Sequence, residues 1–209
     1  MYYTYNQFID KFSFMRGGGN SKTTSGAIMI HNKIQVKGSN NRIIVSPQAL
    51  VKNTLIKVTG DNNTIYIREN AFISGAELWI EDNGCILDIG AKTFVGPSHL
   101  AVTENNSKLI IGENCMLSSH INVRTGDSHS IIDVSEGKYQ RINPAKDILI
   151  GNHVWIGEGA KILKGVVLGE DVIVSTGAIV TSSFENNVLV GGVPAKVLKQ
   201  GVSWDHKRI

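Results

Sequence analysis

The amino-acid sequence predicts an all-β fold built as a solenoid of short strands. Ile and Val, with 26 and 19 copies, far outnumber the 12 Leu, and β-branched residues favour pleated strands whereas Leu favours helices. Two internal repeats run along the chain, the first with a period of 22 residues and the second with a period of six. Together these observations predict a chain that winds around a column of aliphatic side chains.

The first repeat consists of four ungapped blocks of 22 residues over positions 36–123. Each block carries two aliphatic positions six residues apart and a small residue between them, and all three are expected to face the interior. These columns are Val45, Ile67, Ile89 and Ile111; Val51, Ile73, Val95 and Leu117; and Ala49, Ala71, Thr93 and Cys115. Turn formers such as Gly-Ser-Asn-Asn recur near the start of each block, which indicates a turn at a fixed point.

The second repeat begins at Ile150. Its aliphatic positions are Ile150, Ile156, Ile162, Leu168, Val174 and Val180, and the positions four residues further on are Val154, Ala160, Val166, Val172, Ala178 and, breaking the pattern, Phe184. A period of six fits neither an amphipathic helix nor a simple alternating strand. It predicts triangular coils of about 18 residues with three strands each, and the longer blocks then carry about four more residues at one corner. A β-sandwich is the alternative, but its strand spacing rarely repeats to the residue.

The two ends of the chain depart from these repeats. Residues 2–16 place Tyr5, Phe8, Phe12 and Met15 at helical spacing, which predicts a short N-terminal helix that caps the solenoid. Gly17–Gly19 is expected to link this helix to the repeats. The predicted division is a helix and linker over residues 1–20, a β-helix domain over 21–200 that includes an extension after Val190, and a C-terminal tail over 201–209.

Composition argues against several classes of function. The net charge is +3, from 21 Lys and Arg against 18 Asp and Glu, so no nucleic-acid partner is expected. No apolar run has the length of a transmembrane segment, and the N-terminus lacks the pattern of a secretory signal. Cys85 and Cys115 are too few for a disulfide scaffold, so a reduced, cytoplasmic location is expected. No spacing of cysteine and histidine predicts a metal site.

Residues 124–147 interrupt the repeat between two well-patterned stretches. The segment is polar and cannot follow the coil, and ordered loops inserted in a rigid scaffold are often functional. Its side chains with acid-base or hydrogen-bonding groups include Asp127, His129, Asp133, Arg141 and Asn143. We therefore expect a functional site at this loop.

Residues 105–200 resemble a known family. The motifs NHVWIG, from Asn152, and GVPAK, from Gly192, together are typical of the hexapeptide-repeat acyltransferases. GDSHSIID, from Gly126, followed by RINPAKDILIGNHVWIG, from Arg141, is similar to members that O-acetylate capsule, O-antigen or polysialic acid. The resemblance implies a left-handed parallel β-helix, which is an exception to the usual right-handed crossover.

The resemblance also implies an activity and an assembly. It implies a homotrimer with active sites between subunits, acetyl-CoA as the donor, and direct transfer of acetyl to a sugar hydroxyl of a bacterial surface polysaccharide. Two alternatives stay open. One is an acetyltransferase of a small molecule such as an antibiotic, a free sugar or an amino sugar, and the other is a non-catalytic trimeric scaffold.

Three residues are candidates on the acceptor side. His129 matches the family's catalytic histidine, and a neutral imidazole can take a proton from a sugar hydroxyl; a solvated loop histidine is the alternative. Asp127 is expected to orient that imidazole or to contact the acceptor, although a simple turn carboxylate is equally compatible with the sequence. His120 is a weaker candidate for acceptor contact, against a packing or surface role.

The resemblance assigns further residues to acetyl-CoA. Trp155 matches the tryptophan that lines the channel for the thioester arm, and its indole N–H is a candidate to stabilise developing negative charge. Small residues allow close approach to the pantetheine amides, and the matching positions are Glu158, Gly159, Thr176, Gly177 and Ala178. Thr181 matches a position near the nucleotide, and Lys196 matches a basic residue near the phosphates, with Lys164 as a weaker second candidate. Ser182 stands where some relatives carry a phosphate-binding lysine.

Overall fold

The computed structural model describes residues 13–209 and shows a solenoid of short parallel strands. The strands before the inserted loop are β1 (Phe14–Arg16), β2 (Ser21–Thr23), β3 (Ile28–Ile30), β4 (Lys33–Lys37), β5 (Arg42–Val45), β6 (Leu50–Lys52), β7 (Leu55–Thr59), β8 (Thr64–Ile67), β9 (Phe72–Ser74), β10 (Glu77–Glu81), β11 (Ile86–Ile89), β12 (Phe94–Val95), β13 (Ser98–Val102), β14 (Lys108–Ile111), β15 (Met116–Leu117) and β16 (Ile121–Arg124). The loop carries β17 (Ile132–Asp133), a 3-10 helix (Ser135–Gly137) and β18 (Gln140–Arg141). After the loop follow β19 (Ile148–Ile150), β20 (Trp155–Ile156), β21 (Lys161–Ile162), β22 (Val167–Leu168), β23 (Ile173–Val174), β24 (Ile179–Val180), β25 (Val188–Gly192) and β26 (Ala195–Gln200).

These strands form the three walls of a left-handed triangular prism. The first wall has the order β1-β4-β7-β10-β13-β16-β21-β24, and the second wall has the order β2-β5-β8-β11-β14-β19-β22. The third wall has the order β3-β6-β9-β12-β15-β20-β23-β25-β26. All neighbours within a wall are parallel except β26, which turns back antiparallel on β25 and covers the edge of the third wall.

The predicted inward columns are confirmed. Val45 lies opposite Ile67 across β5 and β8, and Ile150 lies opposite Leu168 across β19 and β22. The pairing offset is therefore 22 residues before the loop and 18 residues after it. Every aliphatic and small residue of the predicted columns is buried, apart from Phe184, which packs half-buried against the core.

The extra residues of the longer coils lie at the corner between the first and second walls, where the Asn-rich turns recur. Asn41 and Asn63 are each only 1% exposed, and their side chains form a ladder along the corner. The amide N–H of Asn63 donates to Oδ1 of Asn41 at 3.0 Å, and that of Cys85 donates to Oδ1 of Asn63 at 2.8 Å. These bonds satisfy polar groups that burial would otherwise leave unpaired.

The prediction of an N-terminal helix over residues 2–16 is wrong for its last three residues. Phe14–Arg16 forms strand β1, which pairs in parallel with β4, so the solenoid already includes these residues, ahead of the predicted boundary at residue 21. Gly17–Gly19 is the corner of the first coil and not a linker, since the amide N–H of Asn40 donates to the carbonyl of Gly18 at 2.9 Å. The physical reason is that Gly-Gly-Gly-Asn is the first copy of the recurring turn in the described part of the chain. Asn20 is the first member of the asparagine ladder there, because its Oδ1 accepts from the amide N–H of Asn41 at 2.9 Å. The rest of the predicted helix lies outside the described residues.

The inserted loop and the C-terminal extension are present as predicted, with adjusted bounds. Arg124 still belongs to β16, so the loop covers residues 125–147; we call this segment the arm. Within the arm, β17 and β18 pair antiparallel, with Ile132 opposite Arg141. The extension after Val190 is a hairpin of β25 and β26, whose turn contains a cis peptide bond between Val193 and Pro194.

The register of the core has a direct test. We expect Ile67→Asp to lower the free energy of unfolding by about 3–5 kcal/mol, because it places an uncompensated charge in the stacked interior. Thr64→Asp is the matched control, because Thr64 lies on the same strand with its side chain outward and Arg42 opposite. Thermal or urea unfolding measures both variants, and equal melting of Ile67→Asp and wild type would show that this column does not face inward.

Candidate active site

The arm leaves the first wall after β16 and returns to the second wall at β19, and a buried asparagine fixes its shape. Asn143 is 6% exposed. Its Nδ2 donates to Oδ2 of Asp127 at 2.9 Å and to the carbonyl of His129 at 2.8 Å. Its Oδ1 accepts from the amide N–H of Ile131 at 2.7 Å. One side chain thus ties three positions of the segment that presents His129.

His129 follows a tight turn with an unfavourable backbone conformation. Its amide N–H donates to the carbonyl of Asp127 at 2.7 Å, and the central residue, Ser128, has a φ of 64°. A γ-turn with a left-handed central residue is rare and strained, and strain of this kind concentrates at functional sites. Nη2 of Arg124 supports the turn by donating to Oγ of Ser128 at 3.0 Å.

The imidazole of His129 is exposed, and no side chain in residues 13–209 forms a hydrogen bond with it. The predicted role of Asp127 in orienting this imidazole is therefore not what the structure shows. The Asp127 carboxylate instead pairs with the ammonium of Lys164 and accepts from Asn143, because a full positive charge is a stronger partner than a neutral ring. Lys164 lowers the pKa of Asp127 below its ordinary value, and Asn143 adds to the effect.

Lys164 thus belongs to the arm. Its Nζ also donates to the carbonyl of Asn143 at 3.0 Å, and its side chain is 20% exposed. The ammonium therefore binds the arm to the corner that follows β21. Because Lys164 already has these partners, Lys196 is the stronger of the two predicted phosphate contacts.

A second ion pair supports the arm from the corner that follows β13. Nη1 of Arg141 donates to Oε2 of Glu104 at 2.9 Å, and its Nη2 bonds the other carboxylate oxygen. This pair lowers the pKa of Glu104. Nε of Arg141 also donates to Oδ1 of Asn143 at 3.2 Å. In the sequence, Arg141 and Asn143 stand out only as polar residues of the loop, because the partners that define their roles, Glu104 and Asp127, lie 37 and 16 residues away.

The candidate pantetheine positions form one column at the corner between the third and first walls. The amide N–H of Gly159 donates to the carbonyl of Ser119 at 2.9 Å, and that of Gly177 donates to the carbonyl of Glu158 at 2.8 Å. Gly159 and Gly177 have φ values of 71° and 70°, which favour glycine. Successive coils therefore stack their turns here and leave a surface with little side-chain cover.

His120 lies at the same corner, one coil before Glu158. Its Nδ1 is 3.2 Å from Oε1 of Glu158, and both side chains are largely exposed. The structure therefore brings His120 together with the predicted donor positions rather than with His129.

Trp155 lies on the outer face of the third wall, between Met116 and Ile173 of the neighbouring strands. It is 39% exposed. Outward apolar residues continue above and below it through the whole wall, and we call this set the apolar ladder. Its members are Ile28, Leu50, Phe72, Phe94, Met116, Trp155, Ile173 and Leu189.

The remaining predicted donor residues differ in accessibility. Ala178 is buried. Its amide N–H donates to the carbonyl of Ser175 at 3.2 Å, and its carbonyl accepts from the amide N–H of Lys161 at 2.8 Å. Thr176 and Thr181 are exposed. Lys196 is exposed on β26, the edge strand of the third wall that also carries Trp155.

Most of the predicted site residues thus form two groups at opposite edges of the first wall. His129, Asp127 and their anchors lie where the first-wall strands end, whereas His120, Glu158 and Gly177 lie where those strands begin. Thr181 directly follows β24 and therefore lies at the edge of His129, apart from the other predicted donor residues. The four-residue strand β16 spans about 13 Å between the two edges. No hydrogen bond or ring contact joins His129 to Trp155 in the described part of the chain.

Other kinds of site find little support in residues 13–209. These residues contain no cluster of three or more His, Cys, Asp or Glu placed to hold a metal ion. Cys85 and Cys115 are buried and unpaired, and burial raises the pKa of both thiols to about 11, so neither is an activated nucleophile. Nor does this part of the chain contain a helix with the length and apolarity to cross a membrane.

Comparison with known proteins identifies the scaffold. Residues 147–182 match the family described as bacterial transferase hexapeptide (six repeats). The crystal structure of the polysialic acid O-acetyltransferase OatWY superposes with a TM-score of 0.88 and 31% identity, over 95% of this chain and 92% of that one. The polysialic-acid-specific acetyltransferase NeuO gives a TM-score of 0.84 and 28% identity, over 93% of this chain and 88% of that one.

Sequence comparison alone covers shorter segments. The polysialic acid O-acetyltransferase of Escherichia coli O1:K1 is 35% identical over 94 residues, which are 45% of this chain. The chain spans only 30% of the length of that curated relative. Its repeats, its left-handed coil and its likeness to OatWY along 92% of that protein's length show that the chain belongs to the bacterial hexapeptide-repeat transferases, among their acetyltransferases.

Proposed function

We propose that this chain is an acetyl-CoA-dependent O-acetyltransferase that modifies a sugar hydroxyl of a bacterial surface polysaccharide, such as a capsule, an O-antigen or polysialic acid. The observation that carries the proposal is His129, an exposed imidazole on a strained turn that a buried amide pins in place. The likeness to two polysialic acid O-acetyltransferases over more than nine-tenths of the chain supports the class of acceptor.

His129 acts as the general base in this proposal. A sugar hydroxyl is a weak nucleophile at neutral pH and must lose its proton as it attacks. An imidazole without a hydrogen-bonding partner among residues 13–209 has a ring nitrogen free to accept that proton. The carboxylate of Asp127, paired with Lys164, positions the turn rather than the ring. Both Lys164 and Asn143 bond its Oδ2, so in this proposal its Oδ1 is the second contact for the acceptor hydroxyl.

The corner at Gly159 and Gly177 and the face of Trp155 fit the donor. Acetyl-CoA supplies its acetyl group as a thioester. A Cβ built on Gly177 would meet no atom within 4 Å, so an extended arm can approach the backbone there closely. Trp155 adds an exposed apolar surface beside this corner, and its indole N–H is a donor for developing negative charge. Lys196 offers an exposed ammonium for phosphate.

We further propose a homotrimer, for two reasons. One chain leaves two apolar surfaces exposed, and within one chain the candidate base, His129, does not contact Trp155 of the candidate donor site. The first surface is the apolar ladder of the third wall. The second is the arm, whose apolar side chains are 54–86% exposed at Ile131, Val134, Tyr139 and Ile142. Patches of this kind mark interaction surfaces. An arm that packs on the ladder of the next subunit brings His129 of one chain to Trp155 of another.

Two features support a cytoplasmic location within this proposal. Acetyl-CoA is a cytoplasmic metabolite, and a cytoplasmic enzyme meets it directly. Cys85 and Cys115 are unpaired and reduced, which fits a reducing compartment.

The role of His129 predicts a selective loss of turnover. We expect His129→Ala to lower kcat by about a hundredfold or more, the scale of general-base catalysis, with little change in acetyl-CoA affinity. Steady-state kinetics with a polysaccharide acceptor measure kcat and the KM for acetyl-CoA. His120→Ala is the matched variant, and a loss of turnover there with normal turnover in His129→Ala would move the base to His120.

Asn143 predicts a positioning effect on the same step. We expect Asn143→Ala to speed amide hydrogen exchange at Ile131 and His129 and to reduce kcat, because it frees the turn that presents the imidazole. The lost buried bonds should cost about 1–3 kcal/mol of stability. Hydrogen-exchange mass spectrometry and kinetics measure the two effects. Ser135→Ala is the control, since the Ser135 side chain bonds only Asp133 within the arm. Unchanged exchange at His129 would remove the positioning role.

Lys196 predicts an effect on the donor alone. We expect Lys196→Ala to raise the KM for acetyl-CoA about tenfold with little change in kcat, because an exposed phosphate contact contributes equally to the ground and transition states. Lys108→Ala, an exposed lysine on the second wall, is the control for general loss of positive charge. If the KM is the same in both variants and wild type, the phosphates are held elsewhere.

A further inference from the structure

The C-terminal tail folds back against the third wall beside Trp155. The ring of Trp204 stacks on that of His153, with centroids 4.5 Å apart and planes inclined by 10°. Its indole Nε1 donates to the carbonyl of His153 at 2.8 Å. His206 packs edge-on against the same indole at 4.7 Å. Trp204 is thereby held on both sides and by its N–H.

Polar bonds anchor the two residues of the tail that precede this indole. Oγ of Ser203 donates to Oδ1 of Asp171 at 2.6 Å, and Nδ1 of His153 lies 2.7 Å from the same oxygen. The amide N–H of Val202 donates to the carbonyl of Asn187 at 3.1 Å. The carboxylate of Asp171 therefore joins the tail and His153, and these contacts fix Trp204 more firmly than an unanchored terminus would be.

Trp204 in turn contacts Trp155. The two ring centroids are 6.1 Å apart with planes inclined by 47°, within the range of favourable aromatic pairs. In residues 13–209, Trp204 is the only aromatic ring in contact with Trp155. Strand β20 consists of only two residues, so an outward indole there depends on neighbours for a single orientation.

We propose that Trp204 is a positioning residue that sets the indole of Trp155, which makes the C-terminal tail part of the donor site. The inference rests on the proposed function, since it takes Trp155 to line the path of acetyl-CoA. It adds a residue outside the repeats and outside both family motifs. The contact orients Trp155 for the donor without itself touching the reacting atoms.

Fluorescence can test the contact apart from activity, because the chain has three tryptophans, Trp79, Trp155 and Trp204. In a Trp79→Phe background, both Trp204→Phe and Trp204→Ala leave Trp155 as the sole tryptophan. Trp79 lies on the outer face of the first wall, in contact with Lys57 and His99 rather than with Trp155. Phe retains the ring contact but lacks the N–H, so this pair of variants isolates the aromatic packing.

We expect Trp204→Ala to shift the Trp155 emission to longer wavelength and to increase its quenching by acrylamide. The same change should raise the KM for acetyl-CoA about three- to tenfold, the scale of one aromatic contact, with a smaller change in kcat. Relative to Trp204→Ala, Trp204→Phe should show emission at shorter wavelength, weaker quenching and a KM close to that of the Trp79→Phe parent. Equal emission, quenching and KM in the Ala and Phe variants would overturn the inference.

Trp155→Ala separates this inference from the proposed function. If Trp155→Ala leaves the KM for acetyl-CoA unchanged, the role of Trp155 in the proposed donor site fails. If Trp155→Ala raises the KM and Trp204→Ala does not, the donor site stands and the positioning role of Trp204 alone is wrong.

Discussion

The structure depends on one constraint, that each inward aliphatic side chain lies directly over its equivalent in the preceding coil. Parallel pairing at a fixed offset enforces this stacking, with Ile67 over Val45 and Leu168 over Ile150. Each coil contacts only its neighbours, so stability accumulates along the axis rather than in a central core. The same constraint explains the asparagine ladder, because a turn that recurs at every coil brings equivalent amides into hydrogen-bonding distance.

Functional groups occur where this constraint is relaxed. The walls must keep their register, but corners can carry exposed glycines, and a whole arm can be inserted between two coils. The amide N–H of Glu113 bonds Oδ1 of Asn152 at 2.9 Å across 39 residues, so the stacking resumes undisturbed after the arm. The rigid walls then serve as fixed supports for both candidate groups, and the arm's own ion pairs hold His129 at a set position.

Sequence reasoning predicted what the repeat determines and missed what distant partners determine. The columns through Ile67 and Ile162 follow from period alone, and local motifs predict His129 and Trp155 as site residues. The first coil was missed because Met15 and the preceding aromatics also fit helical spacing, and because three glycines conceal the recurring Asn turn that ends at Asn20. The roles of Asn143 and Lys164 could not be read from the chain, since their bonds to Asp127 depend on how the arm folds back. Nor does any repeat predict that Trp204 returns to His153.

The separation of His129 from Trp155 within one chain gives the most direct test of a site shared between subunits. His129→Ala and Trp155→Ala chains can be purified separately, assayed, and then refolded together. If neighbouring subunits supply the two side chains, random assembly creates native pairs at about a quarter of the sites, so the mixture should be far more active than either parent. A mixture with only the mean activity of its two parents would contradict a site completed by the neighbouring chain.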